Sequence, residues 1–123
     1  MLLLMTDLWS GNMTSINEYQ LQAHKNSLNA SIHGDKLLYA AIGIGDEAGE
    51  VLGKFKKLHR DKKGVIDQEF KDALVKELGD VLWYIAELCT HLDIPLSRVA
   101  ALNLEKCKGR KERGTLHGSG DNR

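Results

Sequence analysis

Apolar residues recur along this chain mostly at gaps of three and four, the period of an α-helix rather than the alternation of a strand. Only Pro95 is present to interrupt that period. The pattern predicts an all-α antiparallel bundle of about four helices. Ser15 and Glu18 fit a capping box, so a first helix runs from about Ile16 into the low thirties and ends near His33 and Gly34. Asp35 caps a second helix from Lys36 to about His59, and the charged residues 60–64 form a linker. Asp67 caps a third helix that ends near Leu92, and Asp93-Ile94-Pro95 makes the last turn. A fourth helix starts at Leu96 and fades around Gly109. One domain at 13–113 is expected, with an N-terminal extension at 1–12 and a flexible tail at 114–123 that has no apolar face to bury.

On a wheel of about 100° per residue, Leu37, Ala41, Ile44, Ala48, Val51, Phe55 and Leu58 form one stripe of the second helix. Glu47 and Glu50, three positions apart, border that stripe, and Lys54 falls on the same border one turn later. The third helix repeats the device. Its stripe is Leu74, Leu78, Val81, Ile85, Cys89 and Leu92, with Glu77 and Asp80 beside it. Its apolar arc also extends through Leu82, Val75 and Ala86 to Trp83, which calls for burial on a second side and, in so short a chain, for a second subunit.

Composition narrows the chemistry. A chain of 123 residues with 42% hydrophobic content can bury one core. Seventeen basic against seventeen acidic side chains give no overall pull toward a nucleic acid polymer or a membrane surface. Cys89 and Cys107 have no metal-ligand spacing and suit a reduced, cytoplasmic protein. Residues 1–5 are apolar, but they lack a basic flank and are too short for a membrane span. The five histidines are scattered, most of them read as surface or cap residues and none is assigned chemistry, and Gly43-Ile44-Gly45 reads as close helix packing.

Packing the two acidic helices antiparallel would gather four carboxylates at one seam, a charge that is costly without a cation. Oxygen ligands without His or Cys favour Mg2+, with Mn2+ possible, and Mg2+ held this way keeps positions open for phosphate oxygens.

Asp46-Glu47-Ala48-Gly49-Glu50 is followed, after 26 intervening residues, by Glu77-Leu78-Gly79-Asp80. Lys76 to Tyr84, the early Glu18-Tyr19-Gln20, Lys56-Lys57, Asn103 with Lys106 and Arg110, and the closing stretch from Gly118 extend the pattern. In these motifs the chain resembles the MazG-like all-α nucleoside triphosphate pyrophosphohydrolases. It departs from their Glu-Glu-x-x-Glu in carrying Asp46 at the first position, where the shorter side chain reaches a metal only through water.

The resemblance implies cleavage between the α- and β-phosphates of a nucleoside triphosphate, giving the monophosphate and pyrophosphate. It implies metal ligation and catalysis by Glu47, Glu50, Glu77 and Asp80, with Glu47 or Glu50 able to orient the water. It also implies phosphate contacts by Lys106 and Arg110. Asn103, Lys106 and Arg110 share one helical face, Lys54 joins them from helix geometry, and Tyr84 can pack against sugar or base. A homodimer or homotetramer (a dimer of dimers) is implied, with the 106–123 segment of a partner available to the site. Phosphoribosyl-ATP, dUTP or dCTP as substrate, or a non-catalytic metal-stabilised interaction protein, are the alternatives. A carboxylate-bridged di-iron bundle needs Glu-x-x-His pairs, and none is present.

Overall fold

The computed structural model describes residues 15–115, 117, 118 and 120. The extension expected at 1–12 and the chain end at 121–123 lie outside them. Four helices follow in order: α1 (Ile16–Lys25), α2 (Lys36–Lys62), α3 (Gln68–His91) and α4 (Leu96–Glu112). No strand occurs among the described residues, so the all-α expectation holds.

Three helix starts form where the caps predict. Ser15 Oγ accepts from the Glu18 amide at 3.1 Å, Asp35 Oδ1 from Leu38 at 2.9 Å, and Asp67 Oδ1 from Phe70 at 2.8 Å. α3 ends at His91 beside the expected Leu92, but the other three ends differ from expectation. α1 stops at Lys25 instead of reaching the low thirties, because Asn and Ser side chains take over the local backbone bonding: Asn26 Nδ2 donates to Gln22 O, and Ser27 Oγ accepts from Asn29 N. Leu28 beyond it is 94% exposed, so no burial would reward a longer helix. α2 continues three residues past His59 into the expected linker. It ends where Lys63 adopts a left-handed conformation and the Gly64 amide reaches back to Leu58 O at 3.1 Å. α4 passes Gly109 and ends at Glu112.

α2 and α3 form an antiparallel hairpin, with Phe55 against Phe70 at one end and Tyr39 against Tyr84 at the other. α1 lies on α3 and on α4. Ala23, Ala86, Cys89 and Leu96 form the shared core, with Tyr19, Trp83 and Ile85 packed around it. The α4 N-terminus has no cap of its own after Pro95. Gln20 Oε1 accepts from Leu96 N at 2.8 Å and Asn17 Oδ1 from Ser97 N at 3.0 Å, so α1 caps it from outside.

The wheel placed the packing face of α2 slightly out of phase. The buried residues are Ala40, Gly43 and Leu58, and Glu47, Val51 and Lys54 on the same line are partly covered. Ala41 and Ala48 are exposed. Glu47 therefore stands in the seam itself and not at its border. On α3, Leu78 is 50% exposed despite its place in the expected core stripe. Of the wide arc, α1 helps to cover Ala86 and Trp83, while Val75 and Leu82 stay exposed.

Candidate metal centre

Glu47 enters the seam from α2, and Glu77 and Asp80 enter it from α3. One carboxylate oxygen of each lies within 4.8 Å of the others, a spacing at which a single hard cation can touch all three. The two helices meet closely because α2 carries Gly43 and Ala40 on its facing line: a Cβ at Gly43 would overlap the Tyr84 ring. The electrostatics match the crowding. The Glu47 carboxyl is pushed above its ordinary range, first by loss of solvent and then by the charges of Asp80, Asp46, Glu77 and Glu50. Three oxygen donors from two rigid helices, with no nitrogen or sulfur among them, fit Mg2+ or Mn2+ better than zinc.

Lys54 Nζ stands 3.1 Å from Glu77 Oε1, so it pairs across the seam. Glu50 is exposed and does not join the three converging carboxylates, although its charge acts on Glu47 one turn away. Asp46 is exposed as well, and its charge acts on Glu47 and on Tyr84.

Two phenols flank the carboxylates. Tyr84, one turn beyond Asp80, has its hydroxyl pKa raised by loss of solvent, by a hydrogen bond shared with Tyr39, and by Glu47 and Asp46. Tyr19 on α1 is raised by burial and by Asp80. The motif residue Tyr19 thus brings α1 to the edge of the site, while Gln20 beside it is structural.

Asn103, Lys106 and Arg110 lie on α4, whose main packing is against α1 and not against the acidic hairpin. Arg110 Nη2 donates to Gly120 O at 2.9 Å, which draws the glycine-rich segment back onto α4.

The sequence left one group unmarked. Glu87 is 2% exposed and sits between His24 and His91. A clue was present: Glu77, Asp80, Tyr84, Glu87 and His91 follow at alternating steps of three and four, so they share one line of α3.

The Gene 37 protein of Mycobacterium phage L5 is 54% identical over 93 residues, covering 76% of this chain and 80% of that protein. No solved structure matches the chain. No described helix is long and apolar enough to cross a membrane. The family model of the MazG nucleotide pyrophosphohydrolase domain matches residues 40–115, which hold the whole carboxylate seam, and the chain belongs to that family.

Proposed function

We propose that this protein is a Mg2+-dependent nucleoside triphosphate pyrophosphohydrolase of the cytoplasm, converting a ribo- or deoxyribonucleoside triphosphate and water into the monophosphate and pyrophosphate. The observation that carries this reading is the convergence of Glu47, Glu77 and Asp80 within a chain of this family. A bound Mg2+ would supply charge compensation for phosphate oxygens and would polarise water. Glu47, Glu77 and Asp80 would hold it, and Mn2+ fits the same oxygens.

The chain's own side chains account for the rest. Glu50, one turn from Glu47 and outside the converging trio, is free to orient the attacking water and take its proton. The water oxygen bonds to phosphorus as the P–O bond between the α- and β-phosphates breaks, and pyrophosphate leaves. Lys54, already at the seam, offsets the charge on that leaving group. Tyr84 borders the sugar.

Lys106 and Arg110, with Asn103, belong to an α4 that packs on α1. In a homodimer or homotetramer they serve the site of a neighbouring copy.

The test is a screen of the common ribo- and deoxyribonucleoside triphosphates with Mg2+ and with Mn2+, scoring monophosphate and pyrophosphate together. Release of pyrophosphate from none of them ends the enzyme reading. Asp80→Asn is expected to lower kcat by at least about a hundredfold, the scale of removing one preorganised charge-stabilising group, with helical content unchanged. Retained activity would take Asp80 out of the site.

A further inference from the structure

Beside the carboxylate trio, a cavity of about 240 Å3 is enclosed by the 26–30 loop, the first turns of α2 and the last turns of α3. Tyr39, Trp83 and Tyr84 supply aromatic walls, and Lys36, Glu87 and His91 are polar groups in the lining. The Glu87 side chain is 3% exposed. Its Oε2 accepts from His24 Nδ1 at 3.4 Å and lies 3.7 Å from His91 Nε2. Its Oε1 is equally near His24 Nδ1, yet it is buried without a hydrogen bond. A carboxylate oxygen removed from water and left with only a long contact to His24 is under-satisfied, and a donor on a ligand in the cavity would complete its bonding.

The cavity also continues the metal centre. Glu87 is seven residues beyond Asp80 on the same line of α3, about 10 Å along the helix axis. Tyr84 lies between them, lining the cavity while feeling the charge of Glu47. A nucleotide with its phosphates at the trio would therefore pass its sugar over Tyr84 and extend its base toward Glu87.

The geometry points to this cavity as the base site, with the Glu87 carboxylate accepting the adjacent N1–H and N2–H donors of guanine. The inference rests on the pyrophosphohydrolase reading above. Guanine is the common base whose pairing edge carries two neighbouring donors. Adenine and cytosine present one donor beside an acceptor, and uracil and thymine one donor between two carbonyls. A carboxylate can only accept, so it matches guanine and repels the lone pairs of the others. Lys36 offers a donor for the guanine O6, and the aromatic walls suit a flat ring. The volume is below the ~300–1,000 Å3 typical of drug-sized sites, which suits one heterocycle better than a whole nucleotide.

The experiment has two arms on the full-length protein. In the first, guanosine, 1-methylguanosine, inosine, adenosine, cytidine and uridine are titrated by calorimetry without metal. In the second, kcat/KM for pyrophosphate release is compared across the matching triphosphates with Mg2+. Guanine is expected to be preferred over adenine and cytosine by roughly tenfold or more, the discrimination of one bidentate base contact. Methylating N1 or removing the 2-amino group should erase most of that preference, and Glu87→Gln should flatten it in both arms. Equal binding and turnover across the bases, or a guanine preference that survives N1 methylation, overturns the inference. If Glu87→Gln does not fold, the analogue series on the unmodified protein decides. Turnover without guanine preference defeats only the base assignment. Guanosine selectivity without turnover defeats only the enzyme reading.

Discussion

Glu47 carries the largest share of what crowding does at the seam. Its folded-state pKa is raised by loss of solvent and by Asp80, Asp46, Glu77 and Glu50. For an acid shifted upward, the stability it contributes is present below its ordinary pKa and is lost as pH rises through the raised value. Asp67 runs the other way: the Phe70 amide lowers its pKa, so its contribution is lost as pH falls. A comparison with Glu47→Gln isolates the first effect. With EDTA, the Tm of the unmodified protein minus that of Glu47→Gln should fall as pH is raised from about 4 to 7. Saturating Mg2+ should reverse the difference, because a cation removes the repulsion that the variant avoids. A difference independent of pH would mean that Glu47 does not share charge with its neighbours. At this scale the sequence picked out Glu47, Glu77 and Asp80 as neighbours at one seam, where the structure brings their carboxylates together, since residue type and three-residue spacing are written in one dimension. It missed Glu87, because a single acidic residue beside an apolar stripe looks like any solvated position until α1 and the 26–30 loop are folded over it.

Among the elements, starts were more legible than ends. A start is announced by one side chain that can bond two or three residues ahead, as Ser15, Asp35 and Asp67 do. An end depends on competing local bonds and on burial, which is why α1 stops at Lys25 and α2 continues to Lys62. The pairing of the hairpin depends on Gly43, the one glycine of the 43–45 stretch that meets a neighbour, while nothing lies within 4 Å of a Cβ at Gly45. Gly43→Ala would drive a methyl group into the Tyr84 ring. A loss of about 1–3 kcal/mol in chemical denaturation is expected, the usual cost of overpacking, together with a raised KM, because Tyr84 lines the nucleotide path. Gly53→Ala, at an open position of the same helix, should stabilise by up to ~1 kcal/mol through helix propensity alone. Equal effects of the two would show that propensity, and not close approach, governs α2.

Across the whole molecule, one chain does not cover its own apolar surface. On α3, Val75, Leu78 and Leu82 lie on one stripe and are 67%, 50% and 39% exposed. On α2, Leu38, Ile42 and Leu52 are exposed on a line whose intervening steps are Gly45 and Gly49, where a Cβ would meet nothing within 4 Å. Two exposed apolar stripes, one on each helix of the hairpin and one of them flattened by glycine, suit helix packing against further copies far better than contact with water. Such a copy would bring cations near the seam, since α4 packs on α1 in its own chain. The sequence foresaw the surplus of apolar positions on α3. It could not foresee how α1 would divide them, covering Ala86 and Trp83 and leaving Val75, Leu78 and Leu82. Sedimentation at micromolar concentration should therefore find a dimer or tetramer. Leu78→Glu should shift it to monomer, lower Tm, and reduce pyrophosphate release, although Leu78 is not among the carboxylates of the metal centre. Adding an Arg110→Ala chain to an Asp80→Asn chain should restore part of the activity that each lacks alone, because a mixed dimer assembles one site with both groups intact. A monomer with full activity, or mixed dimers no more active than the separate variants, would place the whole site within one chain.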